Sequence, residues 1–162
     1  MGVEIERKFL VDGDMFLKTL SNEDLDKGQE FFQGYLADDP WVRIRIIDWK
    51  EAELTIKGRG GLSRPEFNYP LPFADAMEML PMIKGKLEKR RYHAKFGGFT
   101  WDVDEFKKNL SGLWLGEIEL PAENTPFETP PWAVEEVTDD VRYTNAYLSK
   151  LETSPFFKRE AK

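Results

Sequence analysis

Cysteine is absent from this 162-residue chain, and histidine occurs once, at His93. The first absence excludes disulfides and thiolate metal sites, and makes a reducing cytoplasm the expected setting. Ser63 has no partnered His or Asp motif, so a serine nucleophile has no support. No apolar run approaches the ~20 residues that span a bilayer. The opening Met1-Gly2-Val3-Glu4 shows no basic region leading into an apolar stretch, so no secretory signal is expected. Position 6 is Glu, which argues against myristoylation at Gly2. Gly60-Gly61 is followed by no Gly-Lys-Ser/Thr and reads as a turn, not a phosphate loop. Net positive charge is lacking too: the formal charge is −7, which excludes generic affinity for nucleic acid or an anionic membrane. Anions remain possible partners where basic side chains gather.

What is present is a soluble composition, 41% hydrophobic and 33% charged, in a length that suits one domain over residues 1–162 with a core of its own. Period-two patterns dominate: Val3–Leu10, Glu30–Leu36, Trp41–Trp49, Glu51–Lys57, Pro65–Leu71, Lys86–Ala94, Phe99–Glu105 and Leu113–Leu120. Asp38-Asp39-Pro40 and Gly58-Arg59-Gly60-Gly61 mark connections. About eight strands in hairpin order predict an antiparallel barrel or sandwich. Helices are expected over Asp14–Leu20, Phe73–Met82 and Thr138–Leu151, the last capped by Thr138 with Val141, Thr144, Leu148 and Leu151 at helical spacing. Pro155-Phe156-Phe157 reads as a docking or packing segment.

Alternate residues of a strand share a face. Glu4, Glu6 and Lys8 therefore point one way, while Val3, Ile5 and Phe9 point the other. Arg43 and Arg45 share a face, as do Glu53, Thr55 and Lys57, then Lys89 and Arg91, Asp102 and Asp104, and Glu117 and Glu119. A single charged face is ordinarily solvated. A β-sandwich would leave all of these in water, whereas a barrel packed externally by helices would turn them inward. The charged face carries carboxylates (Glu4, Glu6, Asp104, Glu117, Glu119) and bases (Arg43, Arg45, Lys57, Lys89, Arg91). Carboxylates are hard ligands suited to Mg²⁺ or Mn²⁺, and guanidinium and ammonium groups suit phosphate oxygens. A polyphosphate would bridge the two sets. His93 reads as a wet rim position. Trp41, Trp49, Trp114 and Trp132 read as core or strand-end packing. Tyr35 either shapes the cavity or packs in the core.

Glu4-Ile5-Glu6-Arg7-Lys8 resembles the ExExK signature of the CYTH superfamily, the triphosphate tunnel metalloenzymes. Gln33-Gly34-Tyr35-Leu36, Arg43-Ile44-Arg45, Thr55-Ile56-Lys57, Lys89-Arg90-Arg91-Tyr92, Asp102-Val103-Asp104-Glu105-Phe106, Glu117-Ile118-Glu119 and the Glu136–Asn145 stretch match it in order. Gly60-Gly61-Leu62-Ser63-Arg64 and the short length resemble the compact bacterial members. The resemblance implies an α+β, β-dominated fold: an eight-stranded antiparallel β-barrel, the triphosphate tunnel, with flanking helices. It implies metal-dependent hydrolysis of the terminal phosphoanhydride of a triphosphate, most simply inorganic tripolyphosphate. Glu4, Glu6, Lys8, Lys89 and Arg91 would be catalytic, and Lys8, Arg43, Arg45, Lys57, Arg64, Lys89, Arg91 and Arg142 would bind substrate. Glu4, Glu6, Asp104, Glu117 and Glu119 would hold Mg²⁺ or Mn²⁺. The alternatives are a class IV-type adenylate cyclase, a thiamine triphosphatase and a non-catalytic polyphosphate-binding module. The expected partner is a small polyphosphate, with no nucleic acid and no membrane, and a homodimer is compatible with the sequence.

Overall fold

The computed structural model describes residues 2–152. The Pro155-Phe156-Phe157 segment lies outside them. Nine strands form one antiparallel sheet: β1 (Val3–Val11), β2 (Gln29–Asp38), β3 (Trp41–Ile47), β4 (Glu51–Lys57), β5 (Ser63–Leu71), β6 (Lys86–Phe96), β7 (Phe99–Phe106), β8 (Trp114–Glu119) and β9 (Ala133–Glu136). Strands β5-β4-β3-β2-β6-β7-β8-β1 are neighbours in that order. β1 pairs back onto β5 through Val3↔Pro65, Glu4↔Arg64 and Ile5↔Ser63, which closes an eight-stranded barrel. Further along, β1 exchanges β5 for β9, with Phe9↔Glu136 and Leu10↔Glu135, while its other edge stays on β8. Gly97 and Gly98, both at positive φ, make the tight β6–β7 turn between the paired Phe96 and Phe99.

Closure inverts the usual disposition of charge. Apolar side chains pack outside the barrel. Ile44, Ile46 and Ala52 meet Ala76 of α3 (Phe73–Met79). Phe9, Trp101, Val103 and Ile118 meet Phe16 of α1 (Gly13–Leu17) and Trp132. Asp12 caps α1 by accepting from the Met15 N–H at 3.0 Å. The expected Asp14–Leu20 helix is shorter than read, because Ser21 starts a second one, α2 (Asn22–Asp26), by accepting from the Asp24 N–H.

The expected Thr138–Leu151 helix is also revised. Its first part is a turn followed by a 3₁₀ segment at Val141–Tyr143, and only Asn145–Leu148 (α4) is α-helical. Thr138 does not cap it, since its hydroxyl accepts from the Lys8 N–H at 3.1 Å. Thr144 is the cap, accepting from the Tyr147 N–H. α4 closes one end of the barrel. There the inward positions change from charged to apolar, and Leu10, Leu87, Phe106 and Leu115 pack with Tyr143 and Leu148. The lumen thus has an apolar floor beneath a charged chamber. Among the described residues no helix is long and apolar enough to cross a membrane.

Candidate active site

Above that floor lies a cavity of about 290 Å³, lined by Glu4, Glu6, Arg43, Arg45, Glu53, Lys57, Glu66, Asn68, Arg91, Asp102, Glu117, Glu119 and Asn145. Ten of the residues singled out from strand alternation (Glu4, Glu6, Arg43, Arg45, Glu53, Lys57, Arg91, Asp102, Glu117, Glu119) therefore meet in one place. Lys8 and Arg64 line an adjoining cavity of about 170 Å³ that shares Glu4 and Glu6 with the first. Lys89 and Asp104 are fully buried behind the wall. Arg142 is not brought to either cavity: its guanidinium is exposed and held by Asp140. His93 is at the rim, half exposed, with Nδ1 2.8 Å from Asp102. Tyr35 is buried, and burial raises its hydroxyl pKa.

Alternation also carried a signal for Glu66 and Asn68, which share the face of Arg64 on β5. Gln33, on the inward face of β2, has no charge to mark it in the alternation, yet its Oε1 accepts from Arg45. Asn145 had no such signal, because it enters from α4 and not from a strand.

Cations cluster on one side. Arg43 donates to Thr55 Oγ1 at 2.8 Å and to Glu53 at 3.4 Å. Arg45 donates to Gln33 Oε1 at 2.9 Å and lies 4.3 Å over the Phe31 ring. Burial, then the neighbouring Arg43 and Arg91 charges, push the Arg45 guanidinium down to about 9. Two donors here, Gln33 Nε2 and Arg43 Nε, are buried with no acceptor among the described residues. Unmet donors beside mutually repelling cations describe a site built for an anion.

Carboxylates cluster opposite. Glu6 abuts both Glu4 and Glu117. Its carboxyl is pushed well above the usual range by burial, then by the Glu117 and Glu4 charges. Burial also works to raise Glu4 and Glu117, but their partners prevail. The hydrogen bond shared with Glu66 and the Lys57 charge hold Glu4 low, and Lys8 and Arg91 hold Glu117 low. Glu119, at the mouth, is raised by burial and then by Glu4. The carboxyls abut in a chain, Glu66–Glu4–Glu6–Glu117. Among the described residues no three of them encircle one point as a ready-made ligand set. Their chemistry nonetheless fits a hard divalent cation: all-oxygen donors whose mutual repulsion such a charge would relieve.

Behind this wall Asp104 holds two cations. Arg91 makes a two-pronged contact at 2.7 and 2.8 Å, and Lys89 Nζ lies 2.8 Å away. Both Asp104 oxygens are thus engaged, and Asp104 does not line the chamber. Burial pushes the Lys89 ammonium down to about 7 despite Asp104. Lys8 Nζ donates to the Tyr143 carbonyl at 3.0 Å and lies 3.8 Å from Glu117, tying the segment before α4 to β1.

A closed barrel with carboxylates and cations facing each other across its lumen is the architecture of the CYTH domain. The chain belongs to this family, whose model matches residues 2–151. It is 44% identical over 155 residues to an inorganic triphosphatase of Acetivibrio thermocellus, covering 93% of this chain and 95% of that one. It is 36% identical over 157 residues to an inorganic triphosphatase of Nitrosomonas europaea, covering 90% and 96%. A crystal structure of an inorganic triphosphatase superposes with a TM-score of 0.62 at 32% identity, covering 92% of this chain and 95% of that one.

Proposed function

We infer that this protein is an inorganic triphosphatase that hydrolyses the terminal phosphoanhydride of tripolyphosphate. The observation that carries the reading is the opposed frustration of the chamber. Arg43, Arg45 and Arg91 crowd one side, where burial and then their mutual repulsion lower Arg45 to about 9. Glu4, Glu6 and Glu117 crowd the other, where burial and then the neighbouring charges raise Glu6. A polyphosphate carrying a divalent cation supplies the missing charge to both sides at once. Both curated relatives above bear the name of this activity, which favours hydrolysis over cyclisation.

We propose Mg²⁺ or Mn²⁺ as the cation, held by Glu4, Glu6, Glu117 and Glu119. When bound it supplies positive charge at a phosphoryl oxygen and makes a bound water more acidic. The chain's own residues do the rest. Arg43, Arg45 and Arg91 neutralise phosphoryl oxygens and orient the chain by forked contacts. Lys57 and Arg64 extend that grip toward the mouth, and Lys8 keeps Glu117 and the α4 end in register. Asp104 serves to aim Lys89 and Arg91 in place of holding metal. Catalysis of phosphoryl transfer is largely such positioning and charge neutralisation, so the absence of a cysteine or histidine nucleophile fits.

Two outcomes are expected. In a phosphate-release comparison of tripolyphosphate, ATP, thiamine triphosphate and pyrophosphate with Mg²⁺ or Mn²⁺, tripolyphosphate should give the highest kcat/KM, and a chelator should abolish turnover. Among the described residues the chamber lining contains no aromatic side chain to stack on a base. Preference for ATP, and above all formation of cyclic AMP, would overturn the hydrolase reading. Second, Arg43→Ala and Arg45→Ala should each lower kcat/KM for tripolyphosphate by roughly 1.5–3 kcal/mol, the worth of a charged hydrogen bond. Unchanged values for both would remove these arginines from substrate capture.

A further inference from the structure

Asn145 is the only α4 side chain that lines the chamber. Its helix neighbours Ala146 and Leu148 are buried, and Leu148 packs in the apolar floor. Its Oδ1 accepts a hydrogen bond from Lys89 Nζ at 3.0 Å, its one side-chain hydrogen bond among the described residues. An amide can ordinarily be turned either way round. Here the Asp104 carboxylate, 2.8 Å from Lys89 Nζ, favours the ammonium form, which only donates, so the amide oxygen faces Lys89. The amide NH₂ is therefore fixed on the other side of the side chain. Lys89 is itself fully buried and is pinned by Asp104 at 2.8 Å, so the orienting group has little freedom.

We propose that Asn145 is a further substrate-binding residue, whose Nδ2 donates to a phosphoryl oxygen at the floor of the chamber while Lys89 locks the amide's orientation. This rests on the triphosphatase reading of the chamber. It gives Lys89, which does not line the cavity, a route to the substrate: its charge polarises the amide, and the amide presents the proton. Hydrogen bonds in such a chain strengthen one another. The ligand chemistry is an anionic phosphoryl oxygen, which accepts and never donates. A group that can only donate on that side is selective for it.

Two substitutions separate this role from a merely structural one. Asn145→Asp keeps an oxygen facing Lys89, and so keeps that contact, but replaces the donor with a second acceptor. Asn145→Ala removes both contacts and adds no charge. If Asn145 binds substrate, Asp is the worse variant for affinity. Titration calorimetry of the full chain with tripolyphosphate, with a chelator present to prevent turnover, should show Kd raised about tenfold by Ala and on the order of a hundredfold by Asp. Thermal stability should be lower in Ala than in Asp. If Asn145 only steadies Lys89, the affinity order reverses, with Asp close to wild type and Ala the weaker. That reversal, or wild-type Kd in both variants, overturns the proposal. Because binding is read without turnover, it is independent of the wild-type phosphate-release assay, on which the triphosphatase reading stands or falls.

Discussion

Glutamine in place of Glu6 is expected to lower kcat/KM for tripolyphosphate by two or more orders of magnitude, while leaving the metal-free protein at least as stable as before. Two powers of ten correspond to roughly 2.7 kcal/mol of barrier. The two effects have one origin. Glu6 is forced against Glu117 and Glu4, and without a cation its charge is a burden on the fold. An amide of the same shape relieves that repulsion but no longer attracts a divalent cation. Glu117→Gln supplies the contrast: it should also lose activity, but its charge is favoured by Lys8 and Arg91, so its loss should cost stability. The readouts are steady-state kinetics at limiting Mg²⁺ and thermal melting with a chelator. Full activity in Glu6→Gln would refute the metal role, and a fall in its metal-free Tm would refute the account of the repulsion.

Asp104→Asn should lower thermal stability more than the isosteric change of any carboxylate that lines the chamber. Asp104 is fully buried, and its carboxylate is the shared anion of Arg91 and Lys89. Asparagine fills the same space, so no cavity contributes. What changes is that Lys89 and Arg91 lose the anion they share, which leaves Arg91 with Asp102 at 3.4 Å and Lys89 with no other ion pair among the described residues, and the new NH₂ adds a donor among donors. Breaking a buried pair this way costs about 3–5 kcal/mol. For a domain of this size that lowers Tm by on the order of 10 °C. Activity should fall with it, since Arg91 loses the partner that aims it. A melting temperature within about 2 °C of wild type would mean that solvent or a neighbour already carries the charge.

Much of the barrel was legible because the code is simple. Alternation in Arg43-Ile44-Arg45-Ile46 and Glu117-Ile118-Glu119 states which residues share a face, and the repetition over many strands argues for a common interior. The alternation did not reveal depth. Glu117 and Asp104 carry the same kind of charge on inward faces, yet the register sets Glu117 opposite Asp102, which lines the chamber, and Asp104 opposite Leu115 of the apolar floor, where Arg91 and Lys89 engage its oxygens. Elements whose form is set by long-range partners were also out of reach. Ala133–Glu136 follows a proline-rich stretch and becomes a strand only because β1 offers it an edge. The helical spacing from Val141 to Leu151 is real, but Lys8 captures the Tyr143 carbonyl and the Thr138 hydroxyl, and the helix that forms is confined to Asn145–Leu148. Arg142 was assigned by its place in a motif, and its ion pair with Asp140 leaves it outside the chamber.

The exchange of partners along β1 bears on how the chain reaches this structure. Strand β1 is paired with residues 63–65, 115–119 and 133–136. None of its edges can be satisfied by its immediate successors in sequence. The β2–β3–β4–β5 meander can assemble from local hairpins during synthesis. β1, with Glu4, Glu6 and Lys8 on it, must wait until residues 115–136 have been made. Such non-local pairing is what slows folding in proteins of high contact order. Its benefit is that the chamber, with its concentrated charges, is enclosed only after every strand that lines it has been made.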